Sequence, residues 1–156
     1  MYKMCSDISS QNILYIFNNP WYLTENEWAL MNDKLIENAR DYVVNQLERC
    51  SKDGFSKIWV TPENQPIAIL GFYSVGKKKY ETFFIASKHM EACALKISFD
   101  LRELLKKETS NYKGCTCVIR SASEHPGQIS WFKFLGFTYD PKGNTGNTRY
   151  FKYVSR

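Results

Sequence analysis

The chain has 156 residues, 44% hydrophobic and 24% charged, with a formal net charge of +5. These values exclude disordered, collagen-like and coiled-coil chains, and the length predicts one domain over residues 1–156 with its own core. The mildly basic balance permits an anionic partner without demanding one; no apolar run reaches the ~18 residues of a membrane helix, and Met1–Asp7 lacks the apolar block of a signal peptide, so a soluble, cytosolic protein is expected.

In chain order, Ile13–Phe17 (ILYIF) reads as a short buried strand ended by Asn18-Asn19-Pro20. Thr24 stands three residues before Glu27, the spacing of a capping box. Trp28, Met31, Leu35, Ala39, Tyr42/Val43 and Leu47 then form one stripe, which predicts a single amphipathic helix over 25–50, with Gly54 beyond it. The period next changes to two. KIWVT (57–61), IAILGFYSV (67–75) and YETFFIA (80–86) read as an antiparallel meander, with Lys77-Lys78-Lys79 in a solvated turn after Gly76.

Helical spacing returns from about Lys88 to Lys107, where Ala94, Ile97, Leu101 and Leu104 line one face and Leu95, Phe99 and Leu105 widen it. CTCVIR (115–120) reads as a strand, Pro126 opens a short helix that runs to Gly136, and 137–139 and 148–154 are two last strands. The fold class expected from this order is α/β (α+β): one mixed, mostly antiparallel sheet with helices on its faces. Five cysteines in an unexported chain read as free thiols, and with only two histidines they offer no zinc-like spacing, so no metal is expected. No aromatic–basic stacking motif favours a nucleic-acid partner.

The order of elements and two local motifs resemble the GNAT superfamily of acyl-CoA N-acyltransferases. Ile129-Ser130-Trp131-Phe132-Lys133-Phe134-Leu135-Gly136-Phe137 is similar to the family's short fourth helix with its Leu-Gly-Phe step into the sixth strand, and Ile67–Phe72 is similar to its third strand, with a glycine after an apolar run. The likeness covers residues 57–154 well and the N-terminal part loosely. It implies transfer of an acetyl group from acetyl-CoA to a primary amine of a small molecule or of a protein lysine.

Three chemical needs follow from that resemblance. The diphosphate of the cofactor needs anion-binding amides at a helix N-terminus; the matching stretch, Ser87–Ala94, lacks the family's glycines and offers Lys88, His89, Ala92 and Ala94. The thioester oxygen needs backbone donors, which the strand end Phe84, Ile85 and Ala86 would supply. A base must take the ammonium proton: Glu81, on the strand face shared with Phe83 and Ile85, and His125, eleven residues before Gly136, are the candidates. The family's tyrosine acid is replaced by Phe132, with Tyr139 as a substitute donor. Plainer roles stay open for each: an exposed edge carboxylate for Glu81, a turn residue for His125, a core ring for Tyr139. The missing glycines and Phe132 also leave open a GNAT-fold binding or structural protein without catalysis, such as a phage or other assembly component.

Overall fold

The computed structural model describes the backbone of residues 2–31 and 36–153 and the side chains of 2–27 and 40–153. Seven strands form one sheet in the order β1-β2-β3-β4-β5-β7-β6. They are β1 (Lys3–Cys5), β2 (Gly54–Val60), β3 (Pro66–Gly76), β4 (Lys79–Ala86), β5 (Thr116–Ser121), β6 (Phe137–Tyr139) and β7 (Arg149–Tyr153). All neighbours pair antiparallel except β4 and β5. The expected mixed, mostly antiparallel α/β architecture is therefore present, and the meander β2-β3-β4 lies at its centre. Lys78 turns the β3–β4 hairpin with φ +55°.

Among the described residues five α-helices cover the two faces: α1 (Ser10–Asn18), α2 (Tyr22–Met31), α3 (Ile36–Lys52), α4 (Met90–Thr109) and α5 (Pro126–Leu135). Against α1 and α3 lie Ile58, Ile69 and Ile85, packed with Ile13, Ile16, Phe17 and Val43. Against α4 and α5 lie Ala68, Leu70 and Ala86, packed with Met90, Ile97, Leu101 and Phe132. Among the described residues no helix is long and apolar enough to cross a membrane.

The N-terminal third departs from the sequence expectation. Ile13–Phe17 is helical, not a strand. Ser9 Oγ accepts from Asn12 N–H at 3.2 Å while Asn12 Oδ1 accepts from Ser9 N–H at 2.8 Å, a reciprocal cap. Ile13, Ile16 and Phe17 then fall on the buried side, and a five-residue apolar run fits that helical face as well as it fits a strand. The first strand is instead Lys3–Cys5, paired to β2.

The helix expected over 25–50 corresponds to two elements, α2 and α3. Of its predicted stripe, Leu35 and the side chains of Trp28, Met31 and Ala39 lie outside the described residues, as does Val154 of the last strand. Thr24 and Glu27 sit inside α2 and do not cap it. Helix α4 begins at Met90, so Lys88 and His89 precede it while Ala92 and Ala94 lie within it. Its predicted stripe faces the sheet, but Leu95 and Phe99, expected to widen that face, are 75% and 49% exposed.

Two glycines have a steric reason. A side chain on Gly71 would meet the ring of Phe83, whose Cε1 lies 2.0 Å from an ideal Cβ position, so glycine lets that ring lie across β3. Gly136 ends α5 with φ +113° and its amide bonds back to Phe132 and Lys133 carbonyls; this left-handed turn is cheapest for glycine.

Candidate active site

The central feature is a parting of β4 from β5. Their ladder runs from Lys79↔Thr116 to Thr82↔Ile119 and stops there, although β4 continues to Ala86 beside β3. The main chain of even-numbered β4 residues faces β5: Lys78 C=O accepts from Thr116 N–H at 2.8 Å. At the far end of that edge Ala86 C=O accepts from Trp21 N–H at 2.9 Å and Ala86 N–H donates to Thr24 Oγ1 at 2.9 Å. Phe84 lies between these two stretches. Its N–H opens onto the gap, with no strand partner among the described residues.

Helix α2 spans the wide end of the parting. Trp21 and Thr24 hold Ala86 on the β4 side, and Glu27, one turn on, reaches the β5 side. The Glu27 carboxylate accepts from Ser121 Oγ–H at 2.9 Å, Ala122 N–H at 3.2 Å and Ser123 N–H at 3.1 Å. Burial pushes its pKa up, against the pull of these hydrogen bonds and of the Arg149 charge. Arg149 also donates to Ser123 C=O, which ties β7 into the same corner. The Thr24–Glu27 spacing thus serves contacts between an α-helix and two strand ends, whose main-chain groups would otherwise be buried without partners.

Beneath α2 a cleft open to solvent passes through the parting. Glu81, Tyr73, Tyr42 and Phe83 border it on the α1/α3 side of the sheet, and Thr82, Phe84, Gln128, Trp131 and Phe132 on the α4/α5 side. Glu81 and Tyr73 are direct partners in the β3–β4 register. The Tyr73 hydroxyl donates to Glu81 Oε2 at 3.0 Å, and the Arg120 guanidinium lies 2.8 Å from Glu81 Oε1. With its side chain 15% exposed, Glu81 is a largely buried carboxylate and not a free edge charge. Burial, then the Glu81 charge, keep the Tyr73 phenol protonated far above its ordinary range.

The other candidates are not gathered here. His125 caps α5, its Nδ1 accepting from Gly127 N–H at 3.0 Å, and it does not line the cleft. Tyr139 is 45% exposed, accepts from Asn144 Nδ2 at 2.7 Å, and also lies off the cleft. Phe132 is buried against Phe151, with ring centroids 5.0 Å apart. Of the three strand-end residues, Phe84 alone offers its amide to the gap: Ala86 N–H is taken by Thr24, and the alternation turns Ile85 towards β3.

Sequence reasoning missed Glu27, Arg120 and Tyr73. Glu27 carried a signal, a carboxylate within an apolar stripe, which local capping explained too easily. Tyr73 meets Glu81 across the β3–β4 hairpin, in a register the strand pattern did not fix, and Arg120 carried no signal because its partner Glu81 lies thirty-nine residues away.

Acetyl-CoA, which the resemblance implies, can be tested against these residues in two parts. Thr82 Oγ1 and Gln128 Oε1 border the cleft, are buried, and have no hydrogen-bond partner among the described residues. Buried polar atoms are rarely left so, and an arm bearing amides would give Gln128 an N–H donor. The thioester arm therefore fits. In the β4–α4 turn the amides of Ser87–Met90 are spent within the fold, which leaves a diphosphate the first-turn N–H groups of α4, Glu91 and Ala92. Ser87 N–H donates to Ile67 C=O, Lys88 N–H to Asn19 C=O and Met90 N–H to Ser87 C=O, while His89 N–H donates to Ser87 Oγ at 3.2 Å. His89 Nε2 is also bonded to the Tyr15 hydroxyl at 2.6 Å. Exposed Lys88, beside the first turn of α4, is the cation remaining at that end.

No protein-family profile and no curated protein sequence matches the chain. Solved structures do. A GNAT-family acetyltransferase from Staphylococcus aureus superposes with a TM-score of 0.69 at 11% identity, over 98% of each chain. The PaiA N-acetyltransferase of Thermoplasma acidophilum, solved with coenzyme A, gives 0.63 at 11% identity, over 98% of each chain. A ribosomal-protein-S5-alanine acetyltransferase from Vibrio fischeri gives 0.63 at 11% identity, over 99% of this chain and 93% of its own. With the parted β4–β5 pair at the centre of its sheet, this chain has the fold of the GNAT acetyltransferases.

Proposed function

We propose that the protein is an N-acyltransferase that moves an acetyl group from acetyl-CoA to a primary amine in the α2-covered cleft. The observation that carries this reading is the open Phe84 amide facing the same cleft as Glu81. In the reaction the amine nitrogen attacks the thioester carbonyl carbon. The N–C bond forms, the C–S bond breaks, and the proton lost by the ammonium balances the one taken up by the leaving thiolate. A backbone N–H at the Phe84 position stabilises the carbonyl oxygen as it gains charge. Thiolate departure needs little help, since a thiol has a pKa near 8.5, whereas an alkyl ammonium near 10.4 holds its proton at neutral pH. Deprotonation is thus the demanding step, and Glu81 takes the base role, directly or through water.

The test is a thiol-release assay with acetyl-CoA across pH. General-base help is worth roughly 10²–10⁴-fold, so Glu81→Gln is expected to lower kcat/KM at least tenfold, partly recovered at high pH where free amine is abundant. His125→Ala and Tyr139→Phe are measured beside it to compare the two candidates that lie off the cleft. Wild-type rates in Glu81→Gln and in its double variant with His125→Ala would remove the base assignment.

The consumed amides of Ser87–Met90 favour a second reading, a GNAT-fold binding protein without catalysis. Calorimetric titration decides between the two: no heat at millimolar acetyl-CoA supports the binding protein.

A further inference from the structure

We propose that the acceptor is a monoamine carried on an aromatic or bulky apolar body, and not a polyamine or a cationic peptide. This rests on the acyl-transfer reading above and names the substrate class of the same cleft. Its acceptor side, the α1/α3 face, is walled by the rings of Tyr42, Tyr73 and Phe83. The Phe83 wall is built in: its ring lies across Gly71, where any side chain would collide with it, and Tyr73 is 3% exposed. With Tyr73 buried beside them, the accessible rings of Phe83 and of Tyr42, 44% exposed, offer stacking and edge contacts to an aromatic guest, and their faces attract a single ammonium.

The charges point the same way. Glu81 is already matched by Arg120 and by the Tyr73 hydroxyl. Glu27 accepts three hydrogen bonds from the β5 end. Arg49 covers the Tyr73 ring, 5.9 Å from its centre, from outside the cleft lining. Among the described residues that line the acceptor side, Glu81 is the carboxylate and Arg120 the cation that balances it, so one ammonium can be received at Glu81 by exchange for a present contact, while a second positive charge on the same molecule meets no further carboxylate on that face.

The test compares 2-phenylethylamine, n-butylamine, spermidine and Nα-acetyl-lysine amide as acceptors with acetyl-CoA, and separately as ligands by calorimetry without donor. The expected result is a kcat/KM for phenylethylamine at least tenfold above the other three, with Tyr42→Ala lowering the ratio of the phenylethylamine value to the n-butylamine value at least threefold. Equal rates for the aryl and alkyl amines, or a preference for spermidine or the lysine derivative, would overturn the proposal while leaving acyl transfer intact. If no amine is acetylated, acyl transfer fails and calorimetry decides the acceptor class alone. Phenylethylamine binding tenfold tighter than spermidine upholds an aromatic-amine site, and anything less overturns it.

Discussion

Thr24→Val tests whether helix α2 braces the parted strands. Valine keeps the shape of threonine and puts a methyl group in place of Oγ1, which accepts from Ala86 N–H at 2.9 Å. Thr24 is 5% exposed and Ala86 fully buried, so water does not replace the lost acceptor. On the open edge Ala86 has no β5 partner, because the ladder ended at Thr82. A buried donor left unsatisfied costs about 1–3 kcal/mol. At roughly 2–4 °C per kcal/mol for a chain of this size, Tm should fall by about 2–12 °C. Thermal unfolding followed by circular dichroism reads that loss, and amide hydrogen exchange at Ala86 locates it. Thr24→Ser is the comparison: it keeps the oxygen and gives up one methyl, worth about 0.8 kcal/mol. A valine variant as stable as wild type, or no less stable than the serine variant, would refute the reasoning.

Three further outcomes follow from the same structure. Burial raises the Glu27 pKa above its unfolded value, so its contribution to stability is full below the ordinary glutamate range and is lost as pH rises through the folded value; Glu27→Gln should flatten that decline in urea unfolding measured from about pH 4 to 7, and an unchanged slope would clear Glu27 as its source. Gly136→Ala forces an alanine to φ +113° with its Cβ 2.7 Å from the Tyr153 ring, so a loss of about 1–2 kcal/mol from the left-handed conformation alone is expected in denaturant melts, and a neutral result would show that the α5–β6 turn relaxes. Lys88→Glu reverses the charge beside the first turn of α4; calorimetry should show acetyl-CoA binding weakened about two- to fivefold at low salt, with the difference shrinking as salt is added, whereas unchanged affinity would place the diphosphate elsewhere.

The central and C-terminal elements were legible in the amino-acid sequence because each is specified locally. The alternation through β2, β3 and β4, the stripe Ala94-Ile97-Leu101-Leu104, Pro126 opening α5 and Gly136 closing it are short-range patterns, and the elements formed where these patterns stood. Glu81 was legible as a candidate for the same reason: strand period two puts it beside Phe83 and Ile85. What failed was whatever depended on neighbours remote in sequence. ILYIF is short enough to suit either period, and the Ser9–Asn12 cap together with packing on β3 and α3 made it helical. Thr24 and Glu27 had capping spacing, yet their partners proved to be Ala86 and the Ser121–Ser123 corner, some sixty and ninety-five residues away. The parting of β4 from β5, the open Phe84 amide, the Glu81–Arg120–Tyr73 cluster and the spent amides of Ser87–Met90 belong to tertiary structure alone, because hydrogen bonds between distant segments decide which backbone groups are consumed and which are left to a ligand.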